Sequence, residues 1–133
     1  MGTGMQPRAL LGFSKKLVKF LTVFQGEKHK SALVNALAFG SYNKKISHPV
    51  SAMDWLSRDS VEVAKYNEDP LCGFTFTTKG FGDLFSAIAR ANRWETFQQT
   101  PDLPLLLISG DQGPVGAYGK GVRQVAENYR RAG

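Results

Sequence analysis

The side chains able to move a proton or attack a carbonyl are a few serines, two histidines, one cysteine and a scatter of carboxylates, so their spacing decides what chemistry is open. Gly12-Phe13-Ser14 begins like the G-x-S-x-G turn that presents an activated serine, but Lys16 stands where the last glycine belongs. The stretch around it has helical periodicity and no strand-to-helix turn, so Ser14 is expected to be an exposed helical serine. His29 and His48 lie in polar, loop-like stretches with no His or Cys at metal-ligand spacing, and both are expected at the surface. Cys72 is the single cysteine, which excludes an internal disulfide and a cysteine-based zinc cluster. No cationic cluster adjoins it to lower its pKa, and it is expected to pack as a small hydrophobe. No metal and no cofactor are expected.

The most informative loop is Gly110-Asp111-Gln112-Gly113-Pro114-Val115-Gly116. It leaves the carboxyl end of an apolar run, where open α/β sheets place their sites. Two chemistries suit it. As a phosphate cradle it lacks the G-x-x-x-x-G-K-[ST] order, since Lys120 comes too late. Alternatively, a carboxylate here orients a catalytic histidine as the third member of a triad.

These residues need elements to hold them. Leu10, Leu11, Phe13, Leu17, Val18, Phe20, Leu21 and Phe24 recur at three- and four-residue steps, which predicts an amphipathic helix over 8–24 that Gly26 ends. A second short helix is predicted over 31–39, with Ser31 as its cap and Gly40 left-handed at its end. Asp59 followed by Glu62 is a capping-box variant and predicts a helix over 60–67, stopped before Pro70. Phe74-Thr75-Phe76-Thr77 alternates and fits an extended piece. Thr78 is placed to cap a helix over 79–92 that turns Leu84, Phe85, Ile88 and Ala89 inward. Pro104-Leu105-Leu106-Leu107-Ile108-Ser109-Gly110 lacks alternation, as a strand does when both its faces are buried in a parallel sheet. A last helix over 118–131 carries Val122, Val125, Ala126 and Tyr129 on one face. Strand, loop and helix in that order are half of a βαβ unit. A parallel strand without neighbours leaves its backbone groups unpaired, so it must dock into a partner's sheet or belong to a longer protein.

The run from Pro104 to Gly116, followed by Gly119-Lys120-Gly121-Val122 and Tyr129, resembles the late strand and helix of α/β-hydrolase-fold enzymes. It is most similar to the serine aminopeptidase-like and lysophospholipase group, which includes monoacylglycerol lipases. Leu37-Ala38-Phe39-Gly40-Ser41-Tyr42-Asn43, Asp54-Trp55-Leu56-Ser57-Arg58-Asp59 and the stretch Asp69-Pro70-Leu71-Cys72-Gly73-Phe74-Thr75-Phe76-Thr77 resemble the lid region of that group. Gly2-Thr3-Gly4 resembles the turn before the lid. The resemblance implies a partial α/β-hydrolase fold, with a mostly helical lid over residues 1–100 and a strand–loop–helix piece of the core over 101–133. It also implies serine hydrolysis of carboxylic esters, lysophospholipids or monoacylglycerols, in which serine attacks the carbonyl, histidine moves the proton and aspartate holds the imidazole.

The family's serine lies in a G-x-S-x-G motif upstream of the lid, and no such motif occurs here. The family's histidine lies beyond the next strand. The family's acid position falls on Gly113, with Asp111 two residues earlier as its substitute. The resemblance therefore implies an internal section of such an enzyme, inactive alone. Phe13, Phe20 and Phe24 would line a lid face toward apolar substrate or a membrane surface. The alternatives are a non-catalytic module that self-associates or docks on a partner sheet, and a basic nucleic-acid binder.

Composition bounds these readings. The chain has 133 residues, 42% hydrophobic and 21% charged, which suits one folded domain and not a disordered tail. Seventeen Lys+Arg against 11 Asp+Glu leave a net charge of +6. The basic residues come as pairs at 15–16, 44–45 and 130–131, short of the run of about 5–8 that marks a basic arm, so a nucleic-acid partner is disfavoured. No stretch reaches the roughly 18 apolar residues that span a bilayer. The apolar run at 17–24 is followed by Gln25-Gly26-Glu27-Lys28 instead of a cleavage site, and a cytoplasmic location is expected.

Overall fold

The computed structural model describes residues 7–133. Gly2-Thr3-Gly4 lies outside them.

The described residues form six α-helices: α1 (Arg8–Gln25), α2 (Ala32–Phe39), α3 (Ser60–Glu68), α4 (Thr78–Ala91), α5 (Trp94–Gln98) and α6 (Lys120–Ala132). Two short 3-10 turns, Tyr42–Lys45 and Asp54–Leu56, frame the loop between α2 and α3. The helix ends follow local chemistry. Ser31 Oγ accepts from the Val34 N–H at 3.3 Å, and Asp59 accepts from the Val61 N–H at 2.9 Å, each satisfying an orphan first-turn donor. The cap of α4 is Thr77, one residue before the predicted one; its Oγ1 accepts from Gly80 at 3.1 Å. Gly26 ends α1 with φ of 85°. Gly40 differs from expectation. Its φ is −62°, and glycine is required there because an added Cβ would stand 2.5 Å from the Ala36 carbonyl oxygen.

Thr78 is then free for another task. Its side chain is fully buried, and its hydroxyl donates to the carbonyls of Gly26 (2.7 Å) and Glu27 (3.1 Å). Its backbone N–H donates to the His29 carbonyl at 2.8 Å, and the Lys79 N–H donates to Glu27 at 3.2 Å. The start of α4 is thereby sewn to the turn that ends α1, and the two helices pack along their length. Val18 of α1, Val34 of α2 and Phe81 of α4 form the core between them, ringed by Leu21, Ala38, Phe39, Leu84 and Phe85. Phe81 is in ring contact with Phe39, Phe76 and Phe85. A smaller contact joins α5 and α6, where buried Phe97 meets the edge of Tyr129 at 4.9 Å near Val122 and Val125.

The expectation of an α/β architecture with a β-strand at 104–110 is overturned. None of the described residues is in a strand. Residues 103–110 are irregular, and Leu106 and Ile108 are 82% and 85% exposed. The reason is physical. An apolar run becomes a strand only when a second backbone supplies the other half of its hydrogen-bond ladder. No such backbone lies beside it among the described residues, and Phe74-Thr75-Phe76-Thr77 is likewise unpaired.

Candidate functional site

The broad loop between α2 and α3 is shaped by two polar side chains. Asn43 donates through Nδ2 to the Ser51 carbonyl at 2.7 Å and accepts at Oδ1 from the Trp55 N–H at 3.0 Å, pinning the loop at both ends. The Asp54 carboxylate accepts from the backbone N–H groups of Val50 (2.5 Å) and Ser51 (3.2 Å) and from the Ser51 hydroxyl. Those donors favour the ionised form and hold Asp54 below the usual carboxylate range. Behind the loop, Tyr42 meets Trp55 edge-on at 4.9 Å and Phe39 at 5.7 Å, and burial pushes the Tyr42 phenol up.

The second wall comes from the turn before α6. Gly116 is buried, and a Cβ there would lie 3.2 Å from Val122 Cγ2 and 3.3 Å from Ser109 Oγ, so a side chain at this position would need those neighbours to give way by a few tenths of an ångström. The N–H groups of Ala117 and Tyr118 donate to the carbonyls of Pro114 and Gly113, both at 3.0 Å.

The two walls face each other across an open cavity of about 1020 Å³. His48, Ser51, Asp54 and Trp55 line one side, and Gly110, Asp111, Gln112 and Gly113 line the other. The described non-glycine residues with positive φ all fall in these two loops: His48 (55°), Ala117 (50°) and Tyr118 (57°). Left-handed backbone at ordinary residues costs about 1–3 kcal/mol each and gathers where surrounding contacts impose it. One such contact is visible. Lys45 Nζ sits 3.5 Å from the centre of the Tyr118 ring, a cation–π contact that ties the 3-10 turn to the turn before α6.

The sequence-predicted residues fall out as follows. Asp111 and Gly113 both stand in the cavity wall. Asp111 is exposed, unlike the buried acid of a serine triad. Gly113 has room for a side chain, since a Cβ there would meet nothing nearer than the Gly110 carbonyl oxygen at 3.6 Å. His48 is exposed, as expected of a surface histidine, and it faces the same cavity as Asp111. Phe13, Phe20 and Phe24 lie on the exposed side of α1, outside this cavity's lining. Ser14, expected to be exposed, is half-buried beside an apolar groove between α1, α2 and α4. Cys72 is half-buried; desolvation and the Asp69 carboxylate, which favours the S–H form, raise its pKa, so the thiol is unreactive in character. No group of three His, Cys, Asp or Glu is placed to hold a metal among the described residues. No helix among them is long and apolar enough to cross a membrane.

Sequence reasoning missed Trp55, Asp54 and Ser51 as cavity residues. The Asp-Trp dipeptide before a helix cap was the available signal, but nothing local says that it faces a loop far along the chain.

A helical body that holds a broad loop against a glycine-rich turn is the class of arrangement seen here, and its family is known. Residues 4–133 match the serine aminopeptidase family, S33, and the chain belongs to it. Among solved structures it is similar to a highly thermostable carboxyl esterase from Bacillus coagulans, crystallised in complex with glycerol. The two share 25% sequence identity and superpose with a TM-score of 0.79 over 98% of this chain. The chain spans 43% of the esterase's length. No curated protein matches it.

Proposed function

We propose that this chain forms the lid and acid-loop part of a serine hydrolase that acts on carboxylic esters, and that it binds the ester without turning it over. The observation that carries this reading is the open cavity whose lining includes both His48 and Asp111, in a chain of the serine aminopeptidase family. Its likeness to a carboxyl esterase supports the ester substrate. Trp55 and Val63 give the cavity apolar surface, while Asp54, Ser51 and Asp111 give it polar atoms, as a carbonyl compound with an acyl group requires. Nucleophilic attack needs a serine activated by a neighbouring base. The chain has no G-x-S-x-G turn, and the Ser51 hydroxyl is engaged by Asp54. Asp111 serves as the carboxylate of this loop, two residues before the family's acid position at Gly113.

Fluorescence tests both halves. Trp55 lines the cavity and Trp94 does not, so a Trp94→Phe variant isolates the cavity signal. A short-chain ester should change that emission saturably, while a chromogenic ester is not hydrolysed. An unchanged Trp55 signal removes the binding site. Turnover blocked by a serine-directed phosphonate removes the non-catalytic reading.

A second reading has its own observation. The exposed Leu103, Leu105, Leu106 and Ile108 form an uncovered apolar segment, which supports docking on a partner protein or on a second copy. Light scattering on the purified chain separates these states by mass.

A further inference from the structure

A small cavity of about 170 Å³ lies where α4 ends, beside α5 and α6 and the first residue of α1. Gln124, Asn128 and Arg131 stand four and three residues apart, so one stripe of α6 brings all three to its wall. Asn92, which ends α4, Trp94 and Phe97 of α5, and Arg8 of α1 complete the lining. Two features of this wall are not explained by the packing of the helices. The first is Asn92. It is 7% exposed, and its Nδ2 is buried with no hydrogen-bond partner among the described residues. Buried amide donors are nearly always paired, because a desolvated donor without an acceptor disfavours the fold. The second is charge. Arg8 and Arg131 are both exposed, and no carboxylate lines the cavity with them. Neither guanidinium is in an ion pair among the described residues. Arg131 rests instead over the Trp94 ring, its guanidinium carbon 5.7 Å from the ring centre.

An unpaired amide donor between two guanidinium groups calls for an acceptor that carries negative charge. The rest of the wall says what that acceptor is attached to. Trp94 is half-buried and Phe97 buried, with their ring centres 6.3 Å apart, so a ligand meets aromatic surface beside the donors. A bare inorganic anion would leave that surface unused. The volume suits a single ring, since an apolar cavity of about 150 Å³ is enough to hold benzene. We propose that this cavity binds a small aromatic carboxylate, its ring against Trp94 and its carboxylate shared by Arg8, Arg131 and Asn92 Nδ2. The planar fork of a guanidinium matches the two oxygens of a carboxylate, and arginine also stacks on rings. The long, exposed side chains of Gln124 and Arg131 part to admit the ligand to the buried amide. None of the residues that line the ester-binding cavity takes part, so the two sites stand or fall separately.

The test is isothermal calorimetry of the whole chain with sodium benzoate, with benzamide as the neutral isostere and inorganic phosphate as the anion without a ring. Benzoate should bind saturably, and the other two at least about tenfold more weakly. A Trp55→Phe variant leaves Trp94 as the one tryptophan, and benzoate should change its emission over the same concentration range. Arg131→Gln and Asn92→Leu should each weaken benzoate about tenfold or more. Arg131 is exposed and Asn92 Nδ2 has no partner, so both variants should melt no lower than the parent. Absence of benzoate binding overturns the proposal, as does equal binding of benzamide or phosphate. So do a silent Trp94, an affinity that both variants retain, and an Asn92→Leu melt well below the parent, since the amide then serves the fold and not a ligand.

Discussion

The α1–α2–α4 body and the segment from 101 to 119 use apolar residues in opposite ways. In the first, Val18, Val34 and Phe81 close on one another and the backbone groups are satisfied inside each helix. In the second, Leu105, Leu106 and Ile108 are as apolar but stand in solvent, because a strand must borrow its hydrogen bonds from a neighbour. Apolar side chains supply a drive toward burial without a direction. A helix carries its own frame for that drive, and a strand does not.

Mutations should therefore be costly in one region and nearly silent in the other. The largest loss is expected for Phe81→Ala, which opens a cavity among Phe39, Phe76 and Phe85 and should cost about 3–5 kcal/mol in a urea titration. A cost below 1 kcal/mol would show the helical body to be loosely packed. Next is Thr78→Val, which keeps the shape but removes the hydroxyl that joins the Gly26 and Glu27 carbonyls, each of which keeps a backbone donor, from His29 and Lys79; about 1 kcal/mol is expected in the same titration. Asp59→Ala, removing the cap of α3, should cost about 1 kcal/mol.

Asp54 gives a smaller, pH-dependent effect. Its folded pKa is lowered by the Ser51 and Val50 hydrogen bonds, so the unfolded chain takes up its proton first as pH falls. Its stabilisation is complete above the ordinary carboxylate range and fades as pH drops through the lowered value. Asp54→Asn should flatten that acid limb in melts across pH, and an unchanged limb would mean the loop is not held by this carboxylate. Smallest of all is Leu106→Ser, expected within about 0.5 kcal/mol of the parent in thermal melts. A loss above 1 kcal/mol would mean the segment is packed and would erase the contrast between the two regions.

The same contrast explains what could be read in advance. The starts of α2 and α3 were legible because Ser31 and Asp59 act on donors two or three residues away. The α1 periodicity was legible, but not the division of its apolar residues between a core face and an exposed face, since Leu11 and Phe13 look alike until α4 takes one side. The apolar content of the run at 104–110 points to burial and so to a strand, but burial needs a neighbour that the local sequence does not specify. The cavity was beyond sequence reasoning. The loop sequence marks Asp111, while the polar stretch around His48 marks only a surface residue, and the folding of the chain sets both on one cavity.

The helices α1, α2, α3 and α6 and the caps Ser31 and Asp59 follow from the order of residues, because the interactions that make them span a few positions and are settled by local chemistry. Which apolar face is covered, which run lacks a ladder, and which distant loops share a cavity depend on neighbours far along the chain. Those outcomes turn on Thr78 closing α4 onto the end of α1 and on Lys45 reaching Tyr118, contacts that no local pattern contains.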